Sequence, residues 1–219
     1  MVDPYNPLDK LNLGKSVAEA LLDSPVRGMG DTADLTGAGV YAIYYTGDFA
    51  PYGPIAEANA NGQYAQPIYV GKAIPKGGRK GGLGADAASG RALRDRLRQH
   101  AGTIEEAENL HIGHFAFRCL VVDDIWIPLG ENMLIEQFKP VWNKVIDGFG
   151  NKTPGRGRTG QQRSPWDVLH PGREFVTRLG LGPGVATAAE IEARLQAFYA
   201  GEVPATPIGG GEEPDEGEQ

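Results

Sequence analysis

The sequence predicts an α+β domain in which a small three-stranded sheet is packed by helices. Apolar segments with the length and composition of strands cover about residues 39–45, 67–71 and 114–122. Helical spacing of apolar residues begins at about residue 89 and recurs over about 130–139. At 219 residues with 41% hydrophobic content, the chain can form one large domain around one core.

An apolar residue at every second position is the pattern of the third predicted strand. Phe115, Phe117, Cys119 and Val121 would share one of its faces. Cys119 is the single cysteine of the chain, and its position predicts a small core residue. Because the four histidines are scattered, the sequence contains no zinc-ligand cluster, and we expect no structural metal site.

Capping-box patterns predict helices near both ends of the chain. Ser16 and Glu19 predict a helix over about residues 16–23, and Thr187 with Glu190 predicts a final helix. The predicted apolar stripes consist of Val17, Ala20 and Leu21 in the first helix and of Ile191, Leu195 and Phe198 in the last.

A third helix is predicted to open at Ser89. Leu93 and Leu97 lie one turn apart on one of its faces, whereas Arg96 and His100, also four residues apart, lie on another. This spacing delivers the two polar side chains to one place.

The helix over about residues 130–139 is predicted to stop at Pro140, which cannot continue it. Leu134 and Phe138 would face the core. Glu131 would lie in the first turn and point toward the edge of the sheet.

The chain is predicted to divide into an N-terminal helical arm (1–36), a central domain (37–175), a C-terminal helix (176–200) and a tail (201–219). The tail is rich in glycine, proline and acidic residues, so we expect it to be disordered. Residues 48–66 contain prolines, glycines and asparagines without a clear period, which predicts a long hairpin loop or a small insertion.

The sequence favours neither a membrane protein nor a secreted one. No apolar run approaches the roughly 20 residues needed to span a bilayer. The start Met1-Val2-Asp3-Pro4 lacks the basic and apolar regions of a secretion signal. We therefore expect a cytoplasmic protein.

Charge is distributed unevenly along the chain. The net charge of −7 argues against a nucleic-acid partner. However, residues 72–100 carry eight basic against two acidic side chains, and residues 139–174 carry seven against three. Because charges beyond about 10 Å are largely screened, local clusters decide whether a polyanion can dock. These two stretches predict contact with nucleic acid, while residues 202–219 carry six acids and no base.

Each basic stretch contains a glycine-rich segment. Residues 75–84 could follow a phosphate backbone, and the basic residues of this segment are Lys76, Arg79 and Lys80. Residues 148–163 form either a disordered linker or a loop laid into a DNA groove, where arginine pairs with guanine and glutamine with adenine. The candidate DNA-binding residues of this segment are Lys152, Arg156, Arg158, Gln161 and Arg163.

A tyrosine occupies equivalent places in two predicted neighbouring strands, in Gly39-Val40-Tyr41 and in Tyr69-Val70-Gly71. This arrangement would put two phenol hydroxyls on one sheet surface. Four further polar residues follow in order: Arg96, His100, Glu131 and Asn143. The succession resembles the GIY-YIG nuclease superfamily, with valine in place of isoleucine in both strands. It is closest to the type II restriction endonucleases of that superfamily that cut CCGCGG.

The resemblance covers about residues 37–175 and implies the GIY-YIG fold, with an antiparallel central sheet and N- and C-terminal extensions. Phosphodiester hydrolysis needs an activated water, charge stabilisation on the phosphoryl oxygens and support for the leaving oxygen. Glu131 is the candidate ligand of Mg²⁺. This ion suits a site made of one carboxylate, phosphate oxygens and waters. Arg96 would neutralise charge on the scissile phosphate.

The remaining site residues would handle the proton and the geometry. Tyr41 would take the proton from water, with Tyr69 holding the phosphate or the water. A free phenol has a pKa near 10, so this base requires a positive charge nearby, from Lys72 or from the metal. His100, which stands where many superfamily members carry tyrosine, would orient or deprotonate one of these groups. Asn143 would tie down the backbone around the site.

These patterns favour a magnesium-dependent type II restriction endonuclease that cuts double-stranded DNA at a palindromic G/C-rich site. A palindrome is read most economically by a two-fold dimer, so we expect a homodimer. Two alternatives stay open: a catalytically inactive DNA-binding module of the same fold, and a repair or mobile-element nuclease of the same superfamily.

Overall fold

The computed structural model describes residues 9–74, 90–151 and 162–202. In chain order its strands and helices are α1 (Lys10–Asp23), β1 (Arg27–Gly28), β2 (Gly39–Tyr45), α2 (Gly53–Ala58), β3 (Pro67–Ala73), α3 (Ala92–Glu106), β4 (Phe115–Val121), α4 (Ile127–Phe138), α5 (Val141–Lys144), α6 (Pro165–Leu169), α7 (Glu174–Arg178) and α8 (Ala188–Tyr199). Within these described ranges, no helix combines the length and the apolar character that crossing a bilayer requires.

The four strands form one antiparallel sheet in the order β1-β4-β2-β3. The predicted α+β architecture and its three principal strands are confirmed. The short β1 was not predictable, because a strand of two residues is too short to show an alternation of apolar and polar residues. β3 is an edge strand, so one side of its backbone is available to groups from outside the sheet.

The central strand β2 is buried along its whole length. Tyr41, Ile43 and Tyr45 face the larger core cluster, which also contains side chains of α3, α5, α6 and α8. Val40 and Tyr44 face a second cluster with side chains of α1 and α4. Because successive strand residues point to opposite faces, the tyrosine of the Gly39-Val40-Tyr41 motif faces the larger cluster.

The N-terminal helix begins earlier than predicted. Asp9 caps α1, since its carboxylate accepts a hydrogen bond from the Leu11 backbone N–H at 2.8 Å. Ser16 and Glu19 therefore lie inside the helix, and their Ser-x-x-Glu spacing is no cap there. Ala18, not the exposed Ala20, lies in the buried stripe beside Leu21.

The capping box of the last helix is confirmed. The Thr187 N–H donates to the Glu190 carboxylate at 2.8 Å, and the Glu190 N–H donates to the Thr187 hydroxyl at 3.3 Å. Ile191 and Leu195 are buried, and Phe198 packs against the same cluster.

Of the two predicted alternatives for residues 48–66, the small insertion is confirmed, and it consists of α2 between two 3₁₀ turns. Asn59 closes this insertion. Its side-chain amide donates to the carbonyls of Tyr45 and Gln66 at 2.9 Å, and its side-chain oxygen accepts from the Gln66 N–H at 2.9 Å. The buried Asn59 side chain therefore holds together the two ends of the insertion, next to the end of β2 and the start of β3.

Three predicted details of the central helices are wrong. His100 is 1% exposed on the buried face of α3, together with Leu93 and Leu97, because positions 93, 97 and 100 share one face of a helix. Glu131 lies in the second turn of α4, not in the first, because that helix begins at Ile127, four residues before Glu131. Ser89 itself lies outside the described residues, but α3 begins only at Ala92, later than predicted.

The end of α4 agrees with the prediction. Leu134 is buried and Phe138 packs against the same cluster. Lys139 adopts a left-handed conformation with φ of 45°, and Pro140 follows it.

Candidate active site

The two motif glycines are required by close approach between strands. Tyr41 lies opposite Gly71 in the antiparallel β2–β3 pair. A methyl group on Gly71 would lie 2.4 Å from the Tyr41 hydroxyl oxygen. On the other side of β2, a methyl group on Gly39 would lie 1.9 Å from the Leu120 carbonyl oxygen. Glycine at these positions therefore lets β4 approach β2 and leaves room for the Tyr41 ring.

Three of the predicted site residues meet on the face of the sheet that α3 covers. The Tyr41 hydroxyl lies 2.7 Å from His100 Nε2. The Tyr69 ring centroid lies 6.2 Å from that of Tyr41 and 5.2 Å from that of His100. Tyr41 is fully buried, whereas Tyr69 keeps 4% exposure.

His100 is neutral at physiological pH in this environment. Burial holds the pKa of its imidazole well below the ordinary value of 6.5, and the charge of Arg96 acts in the same direction. Phe149 stacks on the imidazole with a centroid distance of 4.6 Å and an interplanar angle of 13°. Phe149 is absent from the predicted site, although its stretch Asp147–Asn151 belongs to the motifs that carry the resemblance.

Arg96 lies one turn before His100 and is half-buried. Its Nη1 donates to the Gln99 side-chain oxygen at 2.9 Å. A methyl group on Gly150 would lie 3.3 Å from Arg96 Nη2 and 3.2 Å from the Tyr69 hydroxyl oxygen. The backbone at Gly150 therefore lies against both side chains and places Arg96 beside the tyrosine cluster.

Lys72 and Glu131 form an ion pair with an Nζ–Oε2 distance of 2.7 Å. Lys72 lies opposite Val40 in the strand register, so its side chain leaves β3 on the face opposite to Tyr69 and Tyr41. Glu131 is 7% exposed. Strand β3 thus carries Tyr69 on one face of the sheet and Lys72, the partner of Glu131, on the other face.

Asn143 clamps the outer edge of β3. Its side-chain oxygen accepts from the Val70 N–H at 2.8 Å, and its side-chain amide donates to the Val70 carbonyl at 2.8 Å. Val70 lies between Tyr69 and Gly71, so this clamp fixes the backbone on which both motif residues stand.

A magnesium ion fits the donors of this site only if water and substrate complete its shell. In residues 9–74, 90–151 and 162–202, no group of three or more histidine, cysteine, aspartate or glutamate side chains could hold a metal. Glu131 is a carboxylate, an oxygen donor of the kind that Mg²⁺ prefers, and the ion pair with Lys72 holds one of its oxygens in place. Mg²⁺ commonly keeps several waters and uses one or two carboxylates with substrate phosphates.

Most of the predicted DNA-binding residues lie outside the described residues, namely Lys76, Arg79, Lys80, Lys152, Arg156, Arg158 and Gln161. Arg163 is described and exposed. Its backbone N–H donates to the Gly182 carbonyl at 3.3 Å, which anchors the chain where it leaves the basic segment.

The comparison with known families agrees with this geometry. A family model described as the Eco29kI GIY-YIG domain matches residues 33–199. The match includes every predicted site residue from Tyr41 to Asn143 and extends through α8. No curated protein matches the chain significantly. Because the family match spans most of the sequence, the chain belongs to the Eco29kI GIY-YIG family of type II restriction endonucleases and is a nuclease that acts on DNA.

Proposed function

We propose that the protein is a magnesium-dependent type II restriction endonuclease that cuts both strands of a palindromic G/C-rich site as a homodimer, with CCGCGG as the first candidate sequence. The observation that carries the proposal is the meeting of Tyr41, Tyr69 and Arg96 around the buried His100, which lies 2.7 Å from the Tyr41 hydroxyl. This arrangement brings together the Tyr41 hydroxyl, which His100 can orient, the Tyr69 hydroxyl, and the Arg96 guanidinium, which can bind a phosphate.

His100 orients Tyr41 rather than storing its proton. A neutral imidazole can accept the Tyr41 hydroxyl proton in a hydrogen bond, which turns the lone pairs of the phenol oxygen toward an attacking water. Full transfer to His100 would create a charged imidazole in a buried position near Arg96, and both burial and that charge oppose it. Tyr41 therefore takes the water proton only as a phenolate, after its own proton has passed to solvent, and His100 in its other neutral tautomer then donates to the phenolate oxygen and aligns it.

Tyr69 and Arg96 bind the scissile phosphate. Both side chains lie against the backbone at Gly150, and Tyr69 is the more exposed of the two motif tyrosines. The phosphate and the water would approach on this side. The arginine fork supplies charge-assisted hydrogen bonds to phosphoryl oxygens, where negative charge grows during the reaction.

Glu131 would hold the Mg²⁺ ion, with Lys72 fixing the orientation of the carboxylate. When bound, the ion supplies charge neutralisation at the phosphoryl and leaving oxygens. Arg163 and the basic residues of the segment before it would contact the DNA groove. Replacing an arginine that reads a guanine should lower specific binding by about 1–3 kcal/mol.

The experiment that tests the proposal is digestion of unmethylated phage DNA with Mg²⁺, followed by sequencing of the fragment ends. Wild type is compared with Glu131→Gln and with the control Glu136→Gln. Glu136 lies on the same helix but is exposed, in an ion pair with Lys144. We expect discrete fragments with a shared palindromic end from wild type and the control, and intact DNA from Glu131→Gln, which should still bind DNA in Ca²⁺.

Other outcomes select the alternatives. Intact DNA with wild type under a range of metals would indicate a DNA-binding module without catalysis. Fragments without a shared sequence would indicate a repair or mobile-element nuclease. A monomeric sedimentation coefficient on palindromic DNA would contradict the homodimer.

A further inference from the structure

A buried ion pair outside the predicted site involves Arg173 and Asp167. Arg173 is 2% exposed and Asp167 is 4% exposed, and Arg173 Nε donates to Asp167 Oδ1 at 2.5 Å. The other two guanidinium nitrogens donate to backbone carbonyls, Nη2 to Gly148 at 2.8 Å and Nη1 to Asn151 at 3.2 Å. Each nitrogen thus holds a different acceptor, and the two carbonyls flank residues 149–150.

The surroundings of the ion pair keep both partners in place. The Arg173 guanidinium lies 4.8 Å from the Trp166 ring centroid and 4.9 Å from that of Phe175. The Ser164 hydroxyl donates to the second Asp167 oxygen at 2.7 Å. A methyl group on Gly148 would lie 2.3 Å from the Ser164 Cβ, so the segment closely approaches α6.

The segment that Arg173 holds is the one that contacts the proposed active site. Phe149 stacks on His100, and its ring centroid lies 4.3 Å from that of Trp142. The backbone at Gly150 lies against Tyr69 and Arg96. Residues 148–151 therefore join the Arg173 ion pair directly to three of the groups that the proposed mechanism uses.

Stability alone does not account for such an ion pair. Desolvation of two buried charges costs about as much as their attraction returns, and apolar replacements of similar volume are often neutral or stabilising. A guanidinium fork with three fixed acceptors instead specifies one backbone conformation. We infer that Arg173 is a positioning residue, which acts through residues 148–151 to align His100, Tyr69 and Arg96; this role rests on the proposed function.

The test uses Arg173→Lys, with Arg178→Lys as the control, because Arg178 is exposed and lies in the adjacent helix. Lysine keeps the charge opposite Asp167, but one nitrogen cannot replace three that point to separate acceptors. We expect Arg173→Lys to slow single-turnover cleavage by the folded protein by on the order of 10²-fold, and the carbonyls that lose their donor should also lower the melting temperature. The control should cleave like wild type.

A second readout does not depend on cleavage. Because Phe149 stacks on the His100 ring, the NMR signal of that ring should carry a ring-current shift. This signal should move in Arg173→Lys and stay in place in Arg178→Lys. If wild type cleaves no DNA, the proposed function fails, while the His100 signal still decides whether Arg173 positions the segment.

A double variant separates positioning from folding. Asp167→Leu combined with Arg173→Met removes both charges at similar volume and should fold. Slow cleavage and a shifted His100 signal in this folded variant are the expected result. Wild-type cleavage and an unchanged His100 signal in either folded variant would overturn the inference and leave the ion pair a structural contact.

Discussion

The larger core contains two tyrosine–histidine pairs of almost identical geometry. Tyr41 lies 2.7 Å from His100 Nε2, and Tyr52 lies 2.6 Å from His170 Nε2. Both tyrosines are fully buried, and the histidines are 1% or less exposed. Burial lowers the pKa of both imidazoles, that of His170 to about 3. Only the first pair belongs to the proposed active site, so the hydrogen bond itself does not mark the function.

The second pair is part of a complete structural network. Trp142 Nε1 donates to the Tyr52 hydroxyl at 2.8 Å. The Asn109 amide donates to the Leu169 carbonyl at 2.9 Å, so the Asn109 oxygen faces His170 Nδ1, also at 2.9 Å. A neutral His170 therefore carries its proton on Nδ1 and accepts the Tyr52 proton on Nε2.

The neighbours of the two pairs explain the difference. Tyr52 and His170 are surrounded by aromatic rings, and the nearby Arg173 is engaged by Asp167 and two carbonyls. The first pair lies beside Tyr69 and the half-buried Arg96, groups that can bind a phosphate. Since Tyr41 and Tyr52 are equally buried, the nearby charge of Arg96 and the slight exposure of Tyr69 are what separate the proposed reactive tyrosine from the structural one.

Among variants that leave both tyrosine–histidine pairs chemically intact, the largest effect is expected from Gly71→Ala. The new methyl group would overlap the Tyr41 hydroxyl, displace it from His100 and destabilise the fold by about 1–3 kcal/mol. Single-turnover cleavage by the folded protein should fall by on the order of 10²-fold. The control is Gly53→Ala, where a methyl group meets no atom within 4 Å. Equal rates in the two variants would contradict the role of Tyr41.

Acid should destabilise the protein through the second pair. The folded pKa of His170 is about 3, because of burial and then Arg173, whereas the unfolded value is near 6.5. The unfolded chain therefore binds the extra proton first, and stability present above pH 6.5 is lost as the pH falls toward 3. His170 alone should cost about 2 kcal/mol at pH 5, and His100 acts in the same direction.

Urea unfolding at pH 7 and pH 5 measures this loss. The variant His170→Gln should show a smaller difference between the two pH values than wild type. The same difference in both proteins would mean that His170 is not buried in its neutral form.

The smallest effect concerns two asparagines that hold backbone carbonyls. Asn143→Leu removes the clamp on Val70 and should cost about 1–2 kcal/mol of unfolding free energy with a several-fold slower cleavage. Asn109→Leu, beside His170, should cost similar stability without slowing the folded protein. Equal cleavage rates in the two variants would remove Asn143 from the support of the site.

Much of the sheet could be predicted from sequence because its signals are local. The strand over 39–45 is confirmed at both ends, and the strand beginning at 67 extends two residues further than predicted, to Ala73. The start of α1 could not be predicted, since Ser16-x-x-Glu19 and Asp9 both satisfy local capping rules and tertiary packing decides between them.

The long-range contacts of the site could not be predicted. The spacing of Arg96 and His100 predicts that His100 lies on a separate face, but the helix phase buries it with Leu97. The pairing of Tyr52 with His170 joins residues 118 positions apart, and no spacing rule connects them. The contacts of Arg173 could not be predicted either, because two of its acceptors are backbone carbonyls, which every residue has.

The most direct test of the central claim compares Tyr41→Phe with Tyr52→Phe by single-turnover cleavage in Mg²⁺ at saturating enzyme. Tyr41→Phe should lower the rate by about 10²–10⁴-fold, because it removes the proposed base. Tyr52→Phe strands the Trp142 N–H and His170 Nε2 and should cost more stability, yet cleave within a few-fold of wild type once folded. Wild-type cleavage by Tyr41→Phe would contradict the account.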